Sequence, residues 1–256
     1  MNDYTDKTIL ITGASKGLGR IAAEAFAGRG ARLCVAGRTE DQLRALTGTF
    51  PDPDSHLIYC GDLMEPENIA QLAQDVIKAW GAPDIIIHCM GGGYGFHDPL
   101  LEWEQLEKLY RVNLAGGAEL NRLLVPAMVE RCEGYVVHVG STASTEAIGS
   151  VGYNTVKAAL ASYTRSLGNA LAESNVIVTG ILPGAFYGPE NAWRRMEKNK
   201  PEVLEKFVSE RLPRDRIADG EEILPLLFLL TSEGASMMAG TCVAIDAGES
   251  HAYVAR

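Results

Sequence analysis

The sequence predicts an α/β fold: one doubly wound domain whose central parallel sheet of seven strands carries helices on both faces. Three observations lead there. Short β-rich runs alternate with longer helical patterns along the 256 residues. The runs are continuously apolar instead of alternating apolar and polar, so both faces of each strand must be covered. No proline-rich, serine-rich or like-charged stretch divides the chain and no segment repeats, which favours one domain over 1–256 although the length would admit two.

The first strand is Thr8 to Ile11, followed by an amphipathic helix at about 20–30. Arg32 to Val35 is the second strand, with a helix at 39–48, and His56 to Tyr59 the third, with a helix at 66–80. Ile85 to Ile87 leads to a long helical pattern over 102–130, and Tyr135 to Val139 to another over 151–173. The sixth strand begins at Val176 to Val178, and the seventh is Cys242 to Ile245. Between them, Ile223 to Leu230 is too short to cross a bilayer and contains Pro225, so it reads as a buried helix within 220–231. Regular alternation implies right-handed crossovers, and in such folds ligands sit at the carboxyl ends of the strands.

Composition narrows the function classes. A hydrophobic share of 46% with 22% charged residues is that of a globular chain. The formal charge of −10 argues against non-specific binding to nucleic acid or anionic membranes. Met1 to Lys7 is polar and runs straight into a strand, without a signal or transit pattern, so a cytoplasmic protein is expected. Cys34, Cys60, Cys89, Cys132 and Cys242 form no Cys-x-x-Cys pair, and three of them lie in or beside apolar runs, which suits core thiols in a reducing compartment. The five histidines are dispersed, and no metal site is expected.

Directly after the first strand comes Thr12-Gly13-Ala14-Ser15-Lys16-Gly17-Leu18-Gly19, then the helix. Glycines at a strand-to-helix turn let backbone approach a pyrophosphate, and the helix N-terminus supplies free N–H groups and partial positive charge. The spacing is TGxxxGxG. With Asp62-Leu63, Asn113, Ser141, Tyr153-Asn154-Thr155-Val156-Lys157, Pro183-Gly184 and Asp246-Ala247-Gly248 in that order, the chain from Lys7 to Gly248 resembles the short-chain dehydrogenase/reductase family, in particular its 3-oxoacyl-carrier-protein reductase-like branch. The resemblance implies a Rossmann-type domain and a nicotinamide cofactor. It assigns cofactor contacts to Gly13, Ser15, Lys16, Gly17, Leu18, Gly19, Arg38, Asp62, Leu63, Cys89, Gly91, Tyr153, Lys157, Pro183, Gly184 and Phe186.

The second strand ends in Gly37-Arg38 with no acid before Glu40. An acid there would hold the ribose hydroxyls of NAD(H) and repel a 2′-phosphate, whereas an arginine pairs with that phosphate, so NADP(H) is expected over NAD(H). By resemblance, Lys16 lies near the same phosphate and Asp62 accepts from the adenine amino group.

Tyr153 and Lys157 are four apart in a helical pattern and share one face. A neighbouring ammonium should lower the phenol's pKa, making Tyr153 the general acid in carbonyl reduction and the base in alcohol oxidation. The resemblance implies that Lys157 also holds the nicotinamide ribose, Ser141 orients the substrate oxygen, and Asn113 binds a water that links Lys157 to solvent. The expected activity is hydride transfer between NADP(H) and a small carbonyl or alcohol: 3-oxoacyl-type, sugar or polyol, or a related ketone.

Several positions depart from the family pattern. The common Asn-Asn-Ala-Gly after the fourth strand is His88-Cys89-Met90-Gly91, followed by Gly92 and Gly93. Met90 is expected to crowd the nicotinamide side, and His88 to satisfy a backbone group. Gly188 stands where a threonine commonly meets the pyrophosphate, and the Ser141-to-Tyr153 spacing is one residue short. These changes open an alternative, a catalytically silent dinucleotide-binding regulator, against which the retained Asn113, Ser141, Tyr153 and Lys157 argue.

A substrate lid is expected at about 185–216. Its cluster of Arg194, Arg195, Lys198, Lys200, Lys206, Arg211 and Arg214 suggests an anionic substrate, with a solvated mixed-charge helix as the plainer reading. The resemblance implies a homotetramer or dimer built through the helices at 102–130 and 151–173 and the last strand.

Overall fold

The computed structural model describes residues 3–252. Nine strands and nine α-helices are found there: β1 (Thr8–Thr12), α1 (Gly17–Ala27), β2 (Arg32–Gly37), α2 (Glu40–Thr47), β3 (Leu57–Cys60), α3 (Pro66–Trp80), β4 (Ile85–His88), α4 (Trp103–Tyr110), α5 (Gly116–Arg131), β5 (Gly134–Val139), α6 (Val151–Leu171), β6 (Val176–Pro183), β7 (Phe186–Tyr187), α7 (Ala192–Asn199), α8 (Pro201–Arg211), β8 (Ala218–Asp219), α9 (Leu224–Leu230) and β9 (Cys242–Ile245). Seven of the strands form one sheet in the order β3-β2-β1-β4-β5-β6-β9, every pair parallel. The order reverses between β1 and β4, and the crevice at that switch point is where such a sheet takes its ligand.

Strand side chains alternate between faces, so two cores form. Ile9, Ile11, Leu33, Val35, Ile85, Ile87 and Val137 pack with Phe26 of α1, Leu43 of α2 and Leu227 of α9. Leu10, Cys34, Ile86, Val136 and Val178 point the other way, onto Leu72 and Val76 of α3 and Leu120, Leu124 and Met128 of α5. Covering both faces requires continuously apolar runs, and each fully buried isoleucine contributes about 1.5–3 kcal/mol.

Helix boundaries shift where backbone chemistry overrides periodicity. α1 starts inside the glycine motif at Gly17, not at 20, because the motif is itself the helix start. The pattern at 102–130 is not one helix: Arg111–Ala115 forms a π-turn between α4 and α5. The last helix begins as a 3-10 turn, Gly220–Ile223, under a capping box of Asp219 and Glu222, which moves Pro225 to the second position of α9, where its missing N–H costs no helical bond.

The segment after β6 has its own small core. Trp193 and Phe207 pack at 4.6 Å between ring centres, with Leu204, Leu212 and Ile217 buried around them. A two-residue parallel ladder, Phe186 to Ala218 and Tyr187 to Asp219, ties its two ends together.

Candidate active site

The glycine turn lies against the end of β4. Gly13 has φ +66°, and a Cβ there would sit 2.9 Å from the Met90 backbone nitrogen, so only a bare backbone fits. A Cβ on Gly19 would strike the Gly13 carbonyl oxygen. α1 has no side-chain cap and no acid in its first turn, so no side chain offsets the positive end of its dipole. The Gly17 N–H donates to the Pro189 carbonyl at 2.7 Å. Gly188 packs on Gly17 so closely that a Cβ would come within 3.0 Å of the Gly17 Cα; the threonine of the family pattern does not fit at this spacing.

Arg38 is exposed just beyond β2 and has no ion-pair partner among the described residues. Lys16 does not stand free beside it: its Nζ pairs with Glu190 Oε2 at 2.7 Å. Asp62 Oδ1 accepts from the Met64 N–H at 3.1 Å, and Leu63 is buried next to it. Ser15 lies against Gly37 at the end of β2, and Cys89 between Gly13 and Gly19. The buried Leu18 anchors the first turn of α1. Pro183 ends β6; Gly184 then donates to Ile245, and Phe186 packs on the core.

A second group of side chains meets at the carboxyl ends of β4 and β5. Tyr153 and Lys157 are one turn apart on α6, with Nζ 5.7 Å from the phenol ring centre. The Ser141 side chain lies close enough to the Tyr153 phenol to pull its pKa down, and its hydroxyl accepts from the Ala143 N–H at 3.1 Å. Lys157 is buried and donates to the Val139 carbonyl at 3.0 Å. Asn113 stands in the π-turn. Its Nδ2 donates to the Leu109 and Gly92 carbonyls at 2.9 and 3.0 Å, and its Oδ1 accepts from the Gly92 N–H at 3.1 Å. A Cβ on Gly91 would lie 2.9 Å from Asn113 Oδ1 and 3.2 Å from Lys157 Nζ, so these three residues converge.

Burial, not the ammonium, dominates the phenol. It pushes the Tyr153 pKa up while Ser141 pulls it down, so the expected depression by Lys157 is not found. Desolvation acts on the lysine instead, lowering it to about 8, and raises the Cys89 thiol to about 12.

The altered motif behind the site also differs from expectation. His88 satisfies no backbone group: its Nε2 meets Asn121 Oδ1 at 2.8 Å, and its ring stacks on His138 at 4.6 Å. Met90 lines a small cavity together with Asn113. It packs with the α3–α5 core, its Cε 2.8 Å from where a Gly116 Cβ would be.

Desolvation lowers His88 to about 4 and His138 well below its ordinary value. A histidine whose folded pKa is depressed takes up protons first in the unfolded chain, so stability falls as pH drops below about 6.5. For His88 the loss is expected to reach roughly 2 kcal/mol by pH 5, and His138 adds to it in the same direction. Urea midpoints measured from pH 7 to 5 should show this slope, and a His88→Gln/His138→Gln double variant should flatten it.

The cations of the 185–216 segment are largely engaged. Arg194 pairs with Glu197 at 2.9 Å and lies over the Tyr187 ring, and Arg195 donates to the Glu190 carbonyl. Arg211 faces Glu146 at 3.7 Å, Lys206 faces Glu210 at 3.9 Å, and Arg214 pairs with Glu222 at 2.9 Å. Lys198 and Lys200 have no acidic partner among the described residues. Sequence reasoning missed Gly92 as the clamp on Asn113, Gly93 against the Tyr153 ring, and Glu190 on Lys16. The glycine run was the only signal for the first two.

With this geometry in place, comparison with known proteins is direct. The family model of the short chain dehydrogenases matches residues 7–199, and the chain belongs to that family of oxidoreductases. Among its relatives, glucose 1-dehydrogenase of Gluconobacter oxydans is 28% identical over 96% of this chain and 92% of its own length. A 3-oxoacyl-(acyl-carrier-protein) reductase of Aquifex aeolicus is 26% identical over 94% and 96%. L-sorbose reductase from Gluconobacter frateurii, solved with NADPH and L-sorbose, superposes with a TM-score of 0.88 at 26% identity, covering 98% of this chain and 99% of that one. Among the described residues no helix is long and apolar enough to cross a membrane, and no group of acidic, histidine and cysteine side chains could hold a metal ion.

Proposed function

We propose that this chain is an NADP(H)-dependent reductase of small carbonyls, running in reverse as an alcohol dehydrogenase. The observation that carries the reading is the convergence of Ser141, Tyr153, Lys157 and Asn113 at the same end of the sheet as the glycine turn. The turn fits a dinucleotide: a Cβ at Gly13 or Gly19 would fill the cradle, no side chain caps the α1 N-terminus, and the exposed Arg38 suits a 2′-phosphate.

The nicotinamide, when bound, supplies or accepts the hydride. In reduction Tyr153 gives its proton to the substrate oxygen, and in oxidation it takes one. Ser141 holds that oxygen in line. Lys157, charged below about pH 8, returns a proton to Tyr153 and steadies the ribose, while Asn113 fixes the backbone of Gly91 and Gly92 around it and holds the water that links Lys157 to solvent.

For the substrate we favour a neutral polyhydroxy carbonyl, a sugar or polyol, ahead of 3-oxoacyl-type ketones. Arg194, Arg195 and Arg214 already have acceptors, which weakens the case for an anion, and two of the relatives above are named for sugars. A homo-oligomer formed with a second copy of the chain would cover the exposed Leu100, Trp103 and Tyr110 beside α4 and Val151 at the start of α6. Free thiols at all five cysteines suit a cytoplasmic setting.

Fluorescence titration with NADPH and NADH, followed by a panel of ketoses, polyols and oxoesters, tests the reading. Arg38→Asp should raise the Kd for NADPH about 10–100-fold and leave NADH binding equal or tighter. An unchanged preference would remove Arg38 from cofactor recognition. Tight NADPH binding with no turnover of any panel member would favour the regulator reading.

A further inference from the structure

The residues that break the family pattern after β4 are matched, one by one, on α5. Alternate positions of this segment point at the helix. At Gly92 the backbone is clamped from both sides by the Asn113 amide. At Met90 the side chain fills the space a Cβ on Gly116 would take, which would also lie 2.5 Å from the Leu63 carbonyl oxygen. At His88 the ring edge occupies the space over Gly117, whose Cβ would be 3.3 Å from Nδ1, and the far nitrogen reaches Asn121, one turn further on. The larger residues on the strand thus meet two consecutive glycines on the helix, and a polar contact closes each end of the row.

Asn121 fixes the proton positions. Its Oδ1 can only accept, so His88 Nε2 carries hydrogen; its Nδ2 can only donate, to His138 Nε2 at 3.2 Å and the Tyr163 hydroxyl at 3.2 Å. The bond is therefore directional and buried, and breaking it removes the His88 donor from the Asn121 carbonyl. Between His88 and the π-turn is a small cavity of about 10 Å³, lined by Thr12, His88, Met90, Asn113 and His138. The region thus holds the turn by a few discrete contacts.

We propose that His88 is a positioning residue for the active site: by gripping Gly117 and Asn121 it sets the register of α5 on β4, and that register places Asn113 against Gly92 beside Lys157. A π-turn has one residue more than the surrounding helix can accommodate, so its location depends on what holds the helix on either side. On one side the Gly92 clamp acts directly, and on the other His88 prevents α5 from slipping back into regular α-helix. The consequence for chemistry rests on the catalytic reading of Asn113 given above.

Two substitutions separate the roles of the ring. His88→Gln keeps a donor where Nε2 stands and so keeps the Asn121 bond, whereas His88→Leu retains bulk without the donor. Hydrogen exchange of the Gly92 amide, which donates to Asn113 Oδ1, reports the placement of Asn113 without any turnover. His88→Leu is expected to exchange that amide at least 10-fold faster and to lower kcat about 10-fold with the Kd for NADPH unchanged; His88→Gln should stay within 3-fold of wild type in all three. If His88→Leu does not fold, Asn121→Leu breaks the same bond from the helix side and should give the same pattern. A folded leucine variant with wild-type Gly92 exchange and kcat overturns the proposal, as does a folded glutamine variant that loses both. A wild-type protein that turns over no substrate would refute the catalytic reading, while the exchange data would still decide what His88 holds.

Discussion

Tyr153→Phe is expected to lower kcat by about 10²–10⁴-fold, the range for removing a positioned general acid, while Kd for NADPH stays within about 2-fold. The variant deletes one oxygen from a phenol that lies close to Ser141 and that burial keeps protonated at neutral pH. Its ring remains, so the packing against Gly93 should survive. Single-turnover mixing with NADPH and a carbonyl substrate isolates the chemical step. A folded phenylalanine variant with more than a tenth of wild-type kcat would show that the proton comes from elsewhere. Because the phenol is raised and not depressed, the reducing direction should hold its rate through neutrality and decline only as Lys157 loses its charge above about pH 8.

Lys157→Met should abolish turnover and at the same time stabilise the fold at pH 7. The lysine's folded pKa of about 8 lies below its ordinary 10.5. Folding therefore disfavours the charged form, by a cost fully present below about pH 8 and relieved as pH rises toward 10.5. That shift corresponds to about 3 kcal/mol, from which the lost donation to the Val139 carbonyl takes back about 1–2 kcal/mol. The methionine variant should melt a few degrees higher at pH 7, and the gap should close by about pH 10. An equal gap at both pH values would mean that packing, not charge, separates the two proteins. A stabilised, inactive variant is the signature of a buried charge retained for chemistry.

The sheet was legible in the sequence because Ile85, Ile86 and Ile87 must each be covered, whichever face they point to, and only a parallel sheet between helix layers does that. Tyr153 and Lys157 were legible because helical spacing fixes their shared face. The π-turn was not. Nothing in Arg111-Val112-Asn113-Leu114-Ala115 breaks a helix, and the partners of Asn113 and Asn121, Gly92 and His88, lie 21 and 33 residues earlier in the chain. The titration of Tyr153 was misjudged for a related reason, since spacing gives the distance to an ammonium but not the desolvation that outweighs it. Lys16 shows the same limit at the surface, where its partner Glu190 is distant in the sequence. The early start of α1 was, by contrast, within reach, because Gly17 is the residue at which the motif itself becomes helix.

The small core around Trp193 and Phe207 shares no side chain with the two cores of the sheet, and the Phe186–Ala218 ladder closes it off at its base. The segment that carries it nevertheless reaches the glycine turn, where the Pro189 carbonyl accepts from the Gly17 N–H and Glu190 pairs with Lys16. Changes among the side chains of the small core stay within it, whereas changes at 188–190 are transmitted to the turn between β1 and α1.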